Sequence, residues 1–245
     1  MTTNYDPIAE QYKRSKLTPW RTHIECHTLL ATIGGVDGKA VLDVACGEGF
    51  YTRLLRLRGA APVTGVDLSE GMIDLAQRQE AQSPLGIEYV VGDGRDLRLP
   101  RPYDLAVAGY LLNYASTRAE LAAMCNGIAR ALKPGGRFVT VNSNPAIDFR
   151  TAPSYRAYGF ETRLEGDLTE GTPITWTFYL EDGPFSIENY YLPVSAHEEA
   201  LRAAGFRTIR WHTARVSRQG EAEHGREFWE PFLKTPPVTF IECVK

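Results

Sequence analysis

The sequence is short of cysteine, and the few it has are not paired. Cys26, Cys46, Cys125 and Cys243 are scattered through 245 residues with no CxxC spacing. That argues against a disulfide framework and against a zinc ribbon, so no metal is expected and a reducing, cytoplasmic setting is. No run of about 18 apolar residues occurs, so no membrane-spanning helix is expected. The polar opening Met-Thr-Thr-Asn-Tyr-Asp-Pro does not resemble a signal peptide. Neither sign of charge dominates: 27 Lys and Arg face 30 Asp and Glu, a formal net charge of −3. A nucleic-acid partner would call for a basic face, and none is evident. There are five histidines, His23, His27, His197, His212 and His224. None lies beside a glycine motif, so no general base stands out. Repeats and low-complexity tracts are absent.

What is there is a core. Hydrophobic residues make up 43% of the chain, enough for one large α/β domain spanning 1–245. Helices are expected at 5–12 and 20–33. Strand and helix then alternate: strands at 40–44, 62–67, 87–91, 103–109 and 137–142, helices at 50–58, 70–80 and 117–132. That alternation argues for a mostly parallel sheet with helices on both faces. Ser69 is a suitable N-cap. Arg53, Arg56 and Arg58 have the spacing of a solvated helix face. Lys133-Pro134-Gly135-Gly136 reads as a sharp break before the fifth strand. Residues 172–191 read as an antiparallel pair turning at Glu181-Asp182-Gly183, 195–204 as a helix, and 206–216 and 238–244 as strands completing the sheet edge. Within the single domain, 1–35 is a helical cap, 36–144 the core, 145–193 an antiparallel lid insertion, and 194–245 the C-terminal helix and edge strands.

The chemistry concentrates at Asp43-Val-Ala-Cys-Gly-Glu-Gly49, which follows the first strand. A strand, a glycine turn and a helix N-terminus make a ligand cradle. A dinucleotide loop needs a third glycine, but Thr52 stands there. Asp67 ends the second strand, where a carboxylate can take both hydroxyls of a ribose. Asp43 can either tie loop amides together or meet an ammonium group, and it would repel a pyrophosphate. Gly92-Asp93-Gly94 follows the third strand, and Asp93 can accept from an adenine amino group. Cys46 reads as a small packing residue.

In order, DVACGEG, GVDLS, GDGRDL and LKPGGRF resemble the class I S-adenosylmethionine-dependent methyltransferases over residues 40–142. The resemblance implies a Rossmann-like, seven-stranded sheet whose last strand is antiparallel. S-adenosylmethionine would be the cofactor and S-adenosylhomocysteine its product. Gly47 and Gly49, with Ala45 between Asp43 and the glycines, would approach the methionine part. Asp67 and Leu68 would hold ribose and adenine, Asp93 and Gly94 would read adenine, and Tyr110 would border the cofactor. Tyr12 lies in a segment that closes over the cofactor in similar enzymes. The opening NYDPIAEQYKRSK and the length are also similar to a narrower group, the N-methyltransferases of toxoflavin biosynthesis. That implies a flat azapteridine acceptor methylated on ring nitrogens.

The acceptor must be recognised by residues outside the cradle. Tyr5 and Trp20 in the cap, with Trp176, Tyr190 and Tyr191 in the aromatic-rich insertion, are the candidate substrate contacts, suiting a small heteroaromatic ring. Asn113 and Tyr114 follow the fourth strand and are the candidates for orienting the acceptor. Direct SN2 methyl transfer would then rest on proximity and exclusion of water rather than a dedicated base. Three rivals stand beside this: a methyltransferase of an O- or C-acceptor, an NAD-dependent oxidoreductase, and a non-catalytic protein that kept the fold.

Overall fold

The computed structural model describes residues 9–245, so Tyr5 lies outside the described residues. Helix α1 (Ala9–Ser15) is followed by a π-helical turn, Arg21–Cys26, that runs into α2 (His27–Ile33). The core alternates as expected: β1 (Val41–Val44), α3 (Phe50–Leu57), β2 (Val63–Asp67), α4 (Glu70–Gln82), β3 (Glu88–Val91), β4 (Tyr103–Gly109), α5 (Arg118–Ala131), β5 (Leu132–Ser143). The lid holds β6 (Phe160–Leu164), β7 (Pro173–Leu180) and β8 (Gly183–Tyr190). The chain closes with α6 (Val194–Ala203), β9 (Thr208–His212), α7 (Arg218–His224), α8 (Arg226–Lys234) and β10 (Val238–Val244).

The main sheet has seven strands in the order β3-β2-β1-β4-β5-β10-β9. β1 runs parallel to β2 and β4, while β10 is antiparallel to both β5 and β9. Alternating side chains feed two cores, as a pleated strand requires. Val41, Leu105, Val107, Val139 and Val141 pack with α2, α3 and the lid. Leu42, Val44, Ala106, Ala108 and Phe138 pack with α5 and α6. Both faces are covered, which is why β1 is buried along its whole length.

Several elements differ from the sequence expectation. The insertion forms a three-stranded sheet, β6-β7-β8, rather than a pair. The segment 217–237 carries two helices that the sequence did not announce. Pro231 lies inside α8, and proline usually ends a helix. Trp229 and Phe232 sit three apart on its buried face and hold it against the lid. The Lys133–Gly136 stretch does not break the chain before a strand. It is carried within β5, with a register shift opposite Tyr103 and Leu105. Arg53 and Arg56 are not simply solvated: Arg53 pairs with Glu80 at 2.7 Å and Arg56 donates to the Leu85 carbonyl at 2.8 Å. They fasten α3 to the end of α4. Ser69 does cap α4, accepting from the Met72 N–H at 3.1 Å.

Candidate active site

The loops leaving β1, β2, β3 and β4 meet at the ends of their strands, where open α/β sheets bind ligands. They enclose a cavity of about 510 Å³, within the ~300–1,000 Å³ typical of small-molecule sites. The π-helical turn and α1 close it from above. Of the sequence candidates, Tyr12, Asp43, Ala45, Gly47, Asp67, Leu68, Asp93, Gly94, Tyr110 and Tyr114 all line it.

One acid from β2 and one from β1 brace the glycine loop and the helix that follows it. Asp67 accepts from the Gly47 N–H at 2.8 Å and from the Ser69 N–H at 2.9 Å. Burial pushes its carboxyl up, and those two donors pull it back. Asp43 is buried and accepts from the Thr52 hydroxyl at 2.6 Å. Burial raises its carboxyl to about 7, against the lowering pull of Thr52 and Lys16. A cation entering the cavity would favour its ionised form. Gly47 has φ 57° and faces the cavity. Gly49 has φ 88°, and a side chain there would overlap the Tyr89 hydroxyl. Gly49 is outside the cavity lining, so its role in the structure is the left-handed turn against Tyr89. Asp93 is engaged by Arg95, whose Nη2 lies 2.6 Å away, and this pairing holds its carboxyl below the usual range.

The sequence reading missed the charges that close the cavity. Arg21 and Glu25 form a buried ion pair at 3.1 Å, one helical turn apart. Glu25 also accepts from Tyr51 at 2.6 Å and from Tyr110. The Arg21 guanidinium lies between the rings of Trp20, Tyr12, Tyr110 and Phe178, at 5.0 to 5.5 Å from their centroids. Lys16, also buried, pairs with Glu48 at 3.3 Å and sits over Tyr12 and Phe50. Burial alone would lower the Lys16 amine, but Glu48 and other acidic neighbours raise it. The one available sequence signal was an Arg and a Glu four apart on a face otherwise apolar at Trp20 and Ile24.

The remaining candidates lie elsewhere. Trp20 and Trp176 line a second, much smaller cavity beneath the lid, which shares Tyr12, Arg21 and Tyr110 with the large one. Tyr190 and Tyr191 line neither cavity. Asn113 is also outside both and is buried, with both amide atoms lacking a hydrogen-bond partner among the described residues. The histidines stand apart from both cavities. His23 Nε2 lies 3.1 Å from Glu223 and its Nδ1 3.0 Å from Ser217 Oγ, while His224 packs nearby. Both ring nitrogens of His23 are thus already engaged by protein groups. Among the described residues no helix is long and apolar enough to cross a membrane.

With this geometry in view, likenesses to known proteins carry weight. Residues 41–136 match the family model described as a methyltransferase domain. The chain is 35% identical over 115 residues to a ubiquinone biosynthesis O-methyltransferase of Pseudomonas savastanoi, covering 45% of this chain and 48% of that protein. The chain thus spans about half the length of the first curated relatives it matches. It is 27% identical over 183 residues to the N-demethylindolmycin N-methyltransferase of Streptomyces griseus, covering 74% of each. The CcbJ methyltransferase of Streptomyces caelestis superposes with a TM-score of 0.69 at 21% identity, covering 99% of this chain and 97% of that one. An S-adenosylmethionine-dependent methyltransferase of Mesorhizobium loti superposes with a TM-score of 0.65 at 23% identity, covering 94% of this chain and all of that one. The chain therefore has the Rossmann-like fold of the S-adenosylmethionine-dependent methyltransferases, with a methyltransferase domain matched over residues 41–136.

Proposed function

We propose that the protein is an S-adenosylmethionine-dependent N-methyltransferase acting on a small, flat heteroaromatic compound. The observation that carries this is the single cavity in which Asp43, Gly47, Asp67, Asp93 and Tyr110 converge from four successive strand ends. Its charge suits a cationic ligand. Glu25, Asp43, Asp67, Glu70, Asp93 and Glu120 on its wall outnumber Lys16, Arg21 and Arg95. A dinucleotide would bring its pyrophosphate against those carboxylates, which disfavours the oxidoreductase reading.

S-adenosylmethionine would supply an electrophilic methyl group on a cationic sulfur. Asp67 has lone pairs left for ribose hydroxyls beyond the two it gives to backbone donors. Asp43 provides a buried negative charge near the glycine loop. The buried Arg21–Glu25 pair and the rings around it close the cavity roof and exclude water, so that orientation supplies much of the rate. Tyr110 and Tyr114 border the space left for the acceptor.

An N-acceptor is favoured by the longer of the two curated alignments, to an indolmycin N-methyltransferase. The similarity of the NYDPIAEQYKRSK opening to the toxoflavin N-methyltransferases narrows the expected acceptor to an azapteridine. The deciding experiment incubates the protein with S-adenosylmethionine carrying a deuterated methyl group and unmethylated azapteridine, then reads product mass and fragments. One or two labelled methyls on ring nitrogen are expected. No labelled product, with S-adenosylhomocysteine still binding, would discard the azapteridine and keep the methyltransferase. Failure of S-adenosylhomocysteine to bind at millimolar concentration would discard both.

A further inference from the structure

A cluster of ligating side chains lies apart from both cavities. His23, Glu223 and His224 offer two imidazole nitrogens and a carboxylate oxygen, all within 4.8 Å of one another. None of the three lines either cavity. His23 comes from the π-helical turn and the other two from the last turn of α7, so no sequence spacing announces them. The arrangement is braced. The Ser217 N–H donates to the His23 carbonyl at 2.8 Å, which ties the start of α7 to the π-helical turn. Gly220 lets the two elements touch, since a side-chain carbon there would stand 2.6 Å from the His23 Cβ. Trp229 is fully buried and donates to the Gly220 carbonyl at 2.9 Å. Both histidine rings pack at a steep angle to its indole, with centroids 6.2 Å away for His23 and 5.4 Å for His224. His224 also stacks on Phe228 at 4.9 Å.

Two of the three donors are oriented by a further partner. His23 Nδ1 lies 3.0 Å from Ser217 Oγ. A proton on Nδ1, directed there, leaves a lone pair on Nε2, which faces Glu223 Oε2 at 3.1 Å. The other oxygen of Glu223 accepts from Gln219 Nε2 at 2.7 Å. Histidines and carboxylates that bind metal carry such outer hydrogen bonds, which fix the ring and its tautomer. Tetrahedral coordination with bonds of ~2.0–2.1 Å puts ligand atoms roughly 3.3 Å apart. His23 Nε2 and Glu223 Oε2 already stand close to that. His224 is exposed and can close the remainder by turning its side chain. His23 is the buried end of the cluster and the half-exposed Glu223 its open side, so an ion has a path from solvent. Two imidazoles and one carboxylate suit a borderline divalent ion, not the all-oxygen shells of magnesium or calcium.

We propose that His23, Glu223 and His224 bind a divalent transition-metal ion, zinc by the chemistry of the donor set, with solvent completing the shell. The ion fastens α7 to the turn Arg21–Cys26, whose Arg21 and Glu25 line the large cavity. It is a structural clamp on the cavity roof and takes no part in methyl transfer.

The test uses the full chain, free of any affinity tag and stripped with a chelator, titrated calorimetrically with zinc chloride. One equivalent is expected to bind, at least about a hundredfold tighter than magnesium or calcium. Cobalt(II) in place of zinc is expected to give visible d–d bands without a thiolate charge-transfer band, as a nitrogen and oxygen donor set requires. His224→Ala and Glu223→Gln change side chains that reach solvent. Each is expected to weaken zinc at least about tenfold and to abolish the rise in Tm that zinc gives the unaltered chain. Hydrogen exchange is expected to slow on zinc binding in residues 21–26 and 217–225. No binding at millimolar zinc overturns the proposal. So does a thiolate band with cobalt, which would assign the ion to cysteine, or zinc affinity unchanged in both variants. Slowed exchange that leaves out residues 21–26 overturns the clamp. Circular dichroism checks each variant; if one fails to fold, the other and the cobalt spectrum of the unaltered chain decide.

Discussion

Asp43 opens the glycine loop and Asp67, at the end of β2, accepts from its Gly47 N–H; the two respond to different experiments. Asp67→Ala removes a carboxylate that accepts two backbone N–H groups at the cavity wall. Affinity for S-adenosylhomocysteine is expected to fall by about 1.5–3 kcal/mol, as for hydrogen bonds to a charged group. Unchanged affinity in a calorimetric titration would remove its ribose role. Asp43 is a matter of pH. Its folded carboxyl is raised to about 7 from an ordinary 3.8. Between those values the folded state holds a proton that the unfolded chain has lost. Stability therefore falls as pH rises from about 4 to 7, and the cost persists above 7. Asp43→Asn, which carries no charge to bury, is expected to flatten that dependence in thermal melts. A cationic ligand acts oppositely, favouring the ionised form, so the affinity of S-adenosylmethionine for the unaltered protein is expected to weaken as pH drops below 7. An equal slope in Asp43→Asn would assign the effect to another group.

Among the elements, the α4–β3 junction shows how Arg53, expected on a solvated helix face, became structural through Glu80. Glu80 takes the N–H groups of Leu85, Gly86 and Ile87 at 2.6, 2.7 and 3.2 Å and pairs with Arg53. Despite the raising effect of burial, those donors and Arg53 hold its carboxyl below the usual range. Its contribution is present above the ordinary value of 4.5 and is lost as pH falls through the lowered one. Glu80→Ala is expected to cost about 1–3 kcal/mol of stability at neutral pH, with a smaller penalty in acid, by denaturant titration at both. The same scale explains the two missed helices. α7 and α8 hold a glycine and a proline where propensity disfavours helix. They form because Trp229 and Phe232 bury completely against the cap and lid, and tertiary packing outweighs propensity.

For the whole molecule, the cap, the lid and the C-terminal helices share one aromatic core. Phe160 lies at its centre, with ring contacts to Trp20, Tyr155, Trp176, Phe178 and Phe232 at 4.8 to 6.4 Å. Phe160→Ala opens a large void there and is expected to cost about 3–5 kcal/mol. Because it loosens the lid and leaves the glycine loop untouched, acceptor KM should rise more than the S-adenosylhomocysteine dissociation constant. Equal loss of both would mean that lid and cradle unfold as one unit.

The order of strands and helices from 40 to 142, the glycine loop, and the carboxylates at 43, 67 and 93 were legible in the sequence. Hydrophobic period, capping residues and glycine φ requirements act over a few neighbours, and neighbours are what a sequence displays. The pairing of Arg21 with Glu25, the burial of Lys16 against Glu48, and the insertion of β10 between β5 and β9 were decided only in three dimensions. So was the gathering of Trp20, Arg21, Trp176 and Asn189 around one small space. These residues come from segments up to 169 positions apart, and their chemistry depends on which partners folding leaves them. A tryptophan in the sequence is equally a core residue or a hydrogen-bond donor. Only the packed chain, by burying the Trp20 and Trp176 N–H groups without an acceptor among the described residues, distinguishes the two.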